Sequence, residues 1–239
     1  MRRKGFTLVE LMVAVGVLTL LTAMAMPVLA KARKQALRAR MKADLMVLSQ
    51  GLEAYRTDQR DYPRNIAGKD GWDIEGSELL CWALIAPGSA ADDGFDGPGF
   101  RIRGTKGQVY GPYVNPDLFK LSSSEYGDPV ILDRQGQQIY YVPANRGADI
   151  HAPGGFVDDY SGTGPRPMFE HAYVERCLSL TAMRKALGDK NSNGQIDFDE
   201  TPASTGPFLL WSAGPNAVFG PDPDDPTQQR SDDVTNFCQ

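Results

Sequence analysis

The chain has 239 residues and a formal charge of −5, enough for one domain with a core plus an anchoring segment. Residues 1–43 carry nine of the 25 Lys/Arg and one of the 30 Asp/Glu, which leaves 16 basic and 29 acidic residues in the remainder. So acidic a body argues against nucleic acid as the main partner, because phosphate binding needs clustered Lys/Arg, and it suits cation binding.

From Phe6 to Ala30 the chain is apolar except for Thr7, Glu10, Gly16, Thr19, Thr22 and Pro27. As a helix this run spans about 37 Å, enough to cross a bilayer. Glu10 is out of place there, since a carboxylate inside a membrane helix costs roughly 2.5–3.5 kcal/mol on insertion scales. Two other readings fit the run: a buried helix of a soluble fold, and a secretory signal cut near Met24-Ala-Met-Pro. Lys31, Arg33, Lys34, Arg38, Arg40 and Lys42 follow, as a solvated face or a contact with lipid headgroups. Leu37, Met41, Leu45, Leu48, Leu52 and Tyr55 recur at helical spacing. One helix is therefore predicted from Phe6 to about Thr57, kinked at Pro27 and stopped before Tyr62-Pro63, with its second half packed on a sheet.

Beyond Asp58 the pattern breaks into short pieces. Ser77–Ile85 reads as a short helix with Ser77 as its cap. Residues 86–112 are rich in Gly and Pro and read as loop. Within them GFRIRGTKG has Gly-Thr-Lys where a phosphate-binding loop needs Gly-Lys-Thr, so it carries no nucleotide reading. Val130–Leu132 and Ile139–Val142 flank a turn at Gly136 and predict a hairpin. PFLLWSAG reads as a strand with NAVFG starting its partner. These pieces predict an α+β body with a small antiparallel sheet. The cysteines, Cys81, Cys177 and Cys238, form no CxxC and leave one disulfide or three thiols equally open.

Asp189 to Glu200, DKNSNGQIDFDE, fits the twelve-residue calcium loop. Asp189, Asn191 and Asn193 take positions 1, 3 and 5, and Gly194 supplies the turn. Gln195 offers its backbone carbonyl, Asp197 acts through water, and Glu200 closes the set as a bidentate ligand. Val174–Leu187 reads as the entering helix, while Thr201-Pro202 blocks an exit helix, which makes this a single structural loop. His151 and His171 read as surface histidines, and no HExxH, GxSxG or GxGxxG occurs, so no enzyme is expected.

The stretch KGFTLVEL resembles the prepilin signature of type IV pilins and of the pseudopilins of type II secretion. That resemblance implies a leader of residues 1–5, a cut between Gly5 and Phe6 by a prepilin peptidase on the cytoplasmic side, and N-methylation of Phe6. The three basic residues of the leader suit the positive-inside rule. It also places Glu10 fifth in the mature chain, where its carboxylate can meet the Phe6 amine of a neighbouring subunit and set register. KADLMVLSQGLEAYRTDQRDYP, and Asp133, Gly136 and Tyr140 in the hairpin, resemble the major (G-type) pseudopilin. So does the final loop from Ser212, which in that family holds calcium. Asn216-Ala217 and the Asp222–Pro226 insertion depart from the family pattern, and Asp224, Asp225, Asp232 and Asp233 are the candidate ligands.

The resemblance implies a pilin-like fold with an assembly helix at 6–57 and a periplasmic domain at 58–239. It implies a single-pass inner-membrane subunit that polymerises with itself into a helical pseudopilus for protein export. Its partners would be the prepilin peptidase, the inner-membrane assembly platform, minor pseudopilins and membrane lipid, with no nucleic acid. A type IV pilin for adhesion, motility or DNA uptake, and a membrane-anchored calcium-binding protein that never polymerises, are the alternatives.

Overall fold

The computed structural model describes residues 7–64, 76–86, 99–101, 107–125, 127–160, 165–220 and 231–237. The chain divides into two units, Met1–Ala39 and Arg40–Gln239. A single helix, α1 (Leu8–Gln59), contributes to both and runs through Pro27. It ends two residues later than expected, at Arg60, whose φ of 65° leaves the helical region.

In the first unit α1 buries nothing. Its large apolar side chains from Leu8 to Leu29 are between 51% and 72% exposed. Its hydroxyls bond back to the helix itself, Thr19 to the Gly16 carbonyl and Thr22 to that of Leu18. No hydroxyl of that pair therefore needs water, as a lipid-facing helix requires. This is a helix long and apolar enough to cross a membrane.

In the second unit the expected stripe is buried at Met41, Leu45, Leu48 and Leu52, each worth roughly 1.5–3 kcal/mol. Tyr55, at its end, is half-buried, as is Leu37 in the first unit. Gly51 lies on the same face, against Val114 and against Leu84 of α2 (Gly76–Leu84). The strands follow in chain order. β1 (Phe100–Arg101) pairs with β2 (Val109–Tyr110), and β3 (Lys120–Ser123) with β4 (Pro129–Leu132), both antiparallel. β5 (Tyr140–Pro143) comes next, then β6 (Val157–Asp158) and β7 (Phe169–Glu170), which form a short parallel pair. After α3 (Leu180–Leu187) come β8 (Phe208–Ser212) and β9 (Val234–Thr235). Among the described residues the largest sheet has the order β5-β8-β9 and is antiparallel throughout. The architecture is α+β, and α2 packs against β4 and β5.

Several local expectations are corrected. The turn at Gly136 forms, with a bridge between Leu132 and Gln138, but the two flanking strands then part: β4 pairs with β3 and β5 with β8. Tertiary partners win over the local hairpin because each strand buries both faces. NAVFG forms no strand. Residues 214–217 turn, Phe219 stands edge-on to Tyr140, and β9 is the partner of β8. Ser77 lies inside α2, where its hydroxyl donates to Gln138 Oε1 at 2.8 Å rather than capping the helix. The entering helix starts only at Leu180, because Ser179 caps it by accepting from the Ala182 N–H.

Candidate functional site

Three regions carry the candidate residues. At the amino terminus Gly5 and Phe6 lie outside the described residues, and Glu10 sits in the first turn of α1. Its Oε2 accepts from the Thr7 N–H at 2.9 Å and from the Thr7 hydroxyl at 2.8 Å. In return the Glu10 N–H donates to Thr7 Oγ1 at 3.2 Å. This is a capping box, a reciprocal closure of the helix start by Thr-x-x-Glu. The signal stood in the sequence, but the puzzle of a charge in an apolar run hid it. Glu10 thus holds a structural place within its own chain, whatever it does between chains.

The loop 189–200 is closed by its own side chains. Asp189, wholly buried, accepts from the N–H of Asn193 and, at 2.7 Å, of Gly194. Asn191 Oδ1 accepts from the Asn193 N–H, and Asn193 Oδ1 from that of Gln195, both at 3.0 Å. Glu200 reaches back across the loop. Its Oε1 accepts from Lys190 N–H at 2.7 Å and Asn191 N–H at 3.2 Å, and its Oε2 from Asp197 N–H at 3.1 Å. Gly194 has φ 84°, and a Cβ there would fall 2.9 Å from an Arg184 nitrogen, so glycine is required.

The body grips this loop from outside. Ile196 is buried in the core with Phe156, Phe169 and Met183. Its N–H donates to the Ile150 carbonyl at 2.8 Å, and its own carbonyl accepts from His151 Nδ1 at 2.6 Å. Arg184 on α3 donates to the carbonyls of Ser192 and Val157 and to Asp158 Oδ1, each at 2.9 Å. Neither Arg184 nor the Ile150–His151 strap was legible beforehand, because nothing local in the sequence marks a contact 45 residues away. His171, expected at the surface, is buried, with Nδ1 3.0 Å from Asp159 Oδ1 and Nε2 2.6 Å from the Leu178 carbonyl.

Fitness for an ion can be judged from the donors. Three carboxylates, two amide oxygens and a backbone carbonyl are the hard oxygens that calcium takes. In this conformation, however, Asp197 accepts from the side-chain amides of Asn191, Gln195 and Asn193 at 2.7, 2.7 and 3.0 Å. Those hydrogen bonds, that from Asn191 first, hold its carboxyl below the ordinary range. Among the described residues no three His, Cys, Asp or Glu side chains are gathered to hold a metal ion. The donor set fits calcium; the amides of Asn191 and Asn193 must first turn from Asp197 and present their oxygens.

In the final loop Asp224 and Asp225 lie outside the described residues. Asp232 Oδ2 accepts from the Asn216 N–H at 3.1 Å. Asp233 Oδ2 accepts from Trp211 Nε1 at 2.7 Å and the Gly220 N–H at 3.0 Å, and burial pushes its pKa up to about 6. Asp232 and Asp233 therefore tie the tail to the turn at 214–220. The hairpin aspartate is also placed: Asp133 accepts from the N–H of Gln135 and Gln137 and, at 2.7 Å, from the Ser212 hydroxyl of β8.

The chain carries the prokaryotic N-terminal methylation motif. That motif matches residues 1–26, which take in Gly5, Phe6 and Glu10. Type II secretion system core protein G of Klebsiella pneumoniae is 34% identical over 67 residues, a stretch covering 28% of this chain and 48% of the relative. The chain spans about half the length of the curated relative it matches. No solved structure matches it.

Proposed function

We propose that this chain is a pseudopilus subunit of a type II secretion system. Its apolar helix anchors it in the inner membrane with the acidic body in the periplasm. A prepilin peptidase removes residues 1–5, Phe6 is methylated, and subunits polymerise through α1 with the help of an assembly platform and minor pseudopilins. Its role is structural rather than catalytic. The observation that carries this reading is the exposed apolar face of α1, which lies directly within and beyond the matched methylation motif. Cysteine cross-linking in membranes, with single cysteines placed at Val13 and Val17, tests it. A ladder of dimers and higher species supports polymerisation, and monomer alone contradicts it. Loss of exported proteins from the medium on deletion favours secretion, whereas loss of twitching or transformation with secretion intact favours a type IV pilus.

We further propose that the body binds calcium at 189–200, with Asp189, Asn191, Asn193, Gln195, Asp197 and Glu200 as ligands. The closed, core-anchored form of a loop with that donor set supports this site. A bound calcium ion supplies a divalent charge that ties hard oxygens together. Asp232 and Asp233, with Asp224 and Asp225, are proposed as a second site on the strength of the resemblance alone. Chelation should lower the melting temperature and raise protease sensitivity, since metal binding is linked to folding. Glu200→Gln should remove the first loop's share of that response and Asp232→Asn the second's. An unchanged melting temperature, with no heat of calcium binding, would rule out both.

A further inference from the structure

Phe198 has a relative exposure of 112%, while Ile196, two residues earlier, is buried in the core. The ring sits in a turn between Asp197 and Asp199, and Pro202 prevents a helix that could fold it inward. It does not coordinate anything in the calcium reading, and neither does Asp199, since both fall between the ligand positions. An exposed aromatic flanked by acids on a rigidly held loop is the form of an interface anchor.

The complementary surface is on α1. Met46 is 64% exposed although Leu45 and Leu48 beside it are buried. Four residues before it, on the same face of the helix, stands Lys42, which is half-buried. A thioether packs well on an aromatic edge, and the Lys42 ammonium answers the Asp199 carboxylate. Within one chain Phe198 and Met46 are both exposed, so neither covers the other.

We infer that the Phe198 loop of one subunit docks on the Lys42–Met46 face of α1 of a second copy of this chain. The inference rests on the polymerising subunit proposed above. It gives the loop an assembly role: holding residues 189–200 in shape holds Phe198 in position for its neighbour.

The test uses two differently tagged full-length copies co-expressed in membranes, with Cys177 and Cys238 replaced by serine. One copy carries Phe198→Cys and the other Met46→Cys. Oxidation should join the two tags, well above the yield from Phe198→Cys paired with Leu118→Cys, an exposed control position. Asp199→Lys should cut that yield by up to about fivefold, the scale of one exposed ion pair, and Lys42→Glu in the second copy should restore it. A yield no higher than the control, while cysteines at Val13 and Val17 still form a ladder, overturns the docking and leaves the polymer standing. Failure of both overturns the docking together with the polymer reading. Cross-linking of Phe198→Cys to exported protein or its protection by lipid vesicles, without the Met46 product, also overturns it in favour of another occupant.

Discussion

Leu18 and Leu48 lie on the same helix, yet Leu18 is 62% exposed and Leu48 is completely buried. Among the described residues nothing covers Leu18; around Leu48 the body closes over the stripe from Met41 to Leu52. The polar groups divide in the same way. In the apolar segment Thr19 and Thr22 bond to their own helix, as a solvent that gives no hydrogen bonds requires. In the body, buried aspartates such as Asp133 and Asp233 tie together segments far apart in the sequence. One region is an exposed apolar helix long enough to cross a bilayer, and the other carries its own core.

The sharpest way to break this contrast is to shorten one leucine in each region. Leu48→Ala should destabilise the body by roughly 2–5 kcal/mol in urea unfolding, through lost burial and the cavity left behind. Leu18→Ala should leave the same transition unmoved. A shared loss would mean that the two stretches fold as one.

A smaller effect separates the buried carboxylates from the rest. The Asp233 carboxyl titrates at about 6 in the folded body because burial disfavours its charge. An unfolded aspartate titrates near ~3.9. Between these values the folded state holds a proton that the unfolded chain releases. With calcium chelated, stability should thus fall as pH rises from about 4 to about 6, by roughly 3 kcal/mol. Asp233→Asn should flatten that part of the profile. A stability that rises across this window through Asp233 would contradict its burial.

The smallest stability effect belongs to Glu10, but it resolves the most. Glu10→Ala removes the capping box and the charge together, with the cap worth about 1 kcal/mol. Glu10→Gln keeps an acceptor for Thr7 and removes only the charge. If register depends on a carboxylate meeting a neighbour's amine, both variants should fail to form the cross-linked ladder. If only the cap matters, Glu10→Gln should assemble normally.

What could be read from the sequence was what depends on neighbours along the chain. The stripe of α1, the core strand at Phe208–Ser212 and the turn at Gly136 follow from spacing and from one residue that tolerates φ 88°. The partners of the strands could not be read that way. β9 reaches β8 from the far side of residues 213–233, and β5 leaves its own hairpin neighbour for β8. His171 looked exposed because a histidine in a loop-like context gives no sign of Asp159 and the Leu178 carbonyl waiting for its ring. The loop at 189–200 was legible as a donor pattern, whereas the Arg184 and His151 contacts that hold it came only from the fold.

Whether the apolar segment belongs to a processed, polymerising subunit is decided at the mature amino terminus of protein extracted from membranes. Mass spectrometry should find a chain that begins at Phe6 and carries one methyl group. A chain that keeps Met1, or one that begins after Ala25 as a cleaved secretory signal would leave it, would contradict the account.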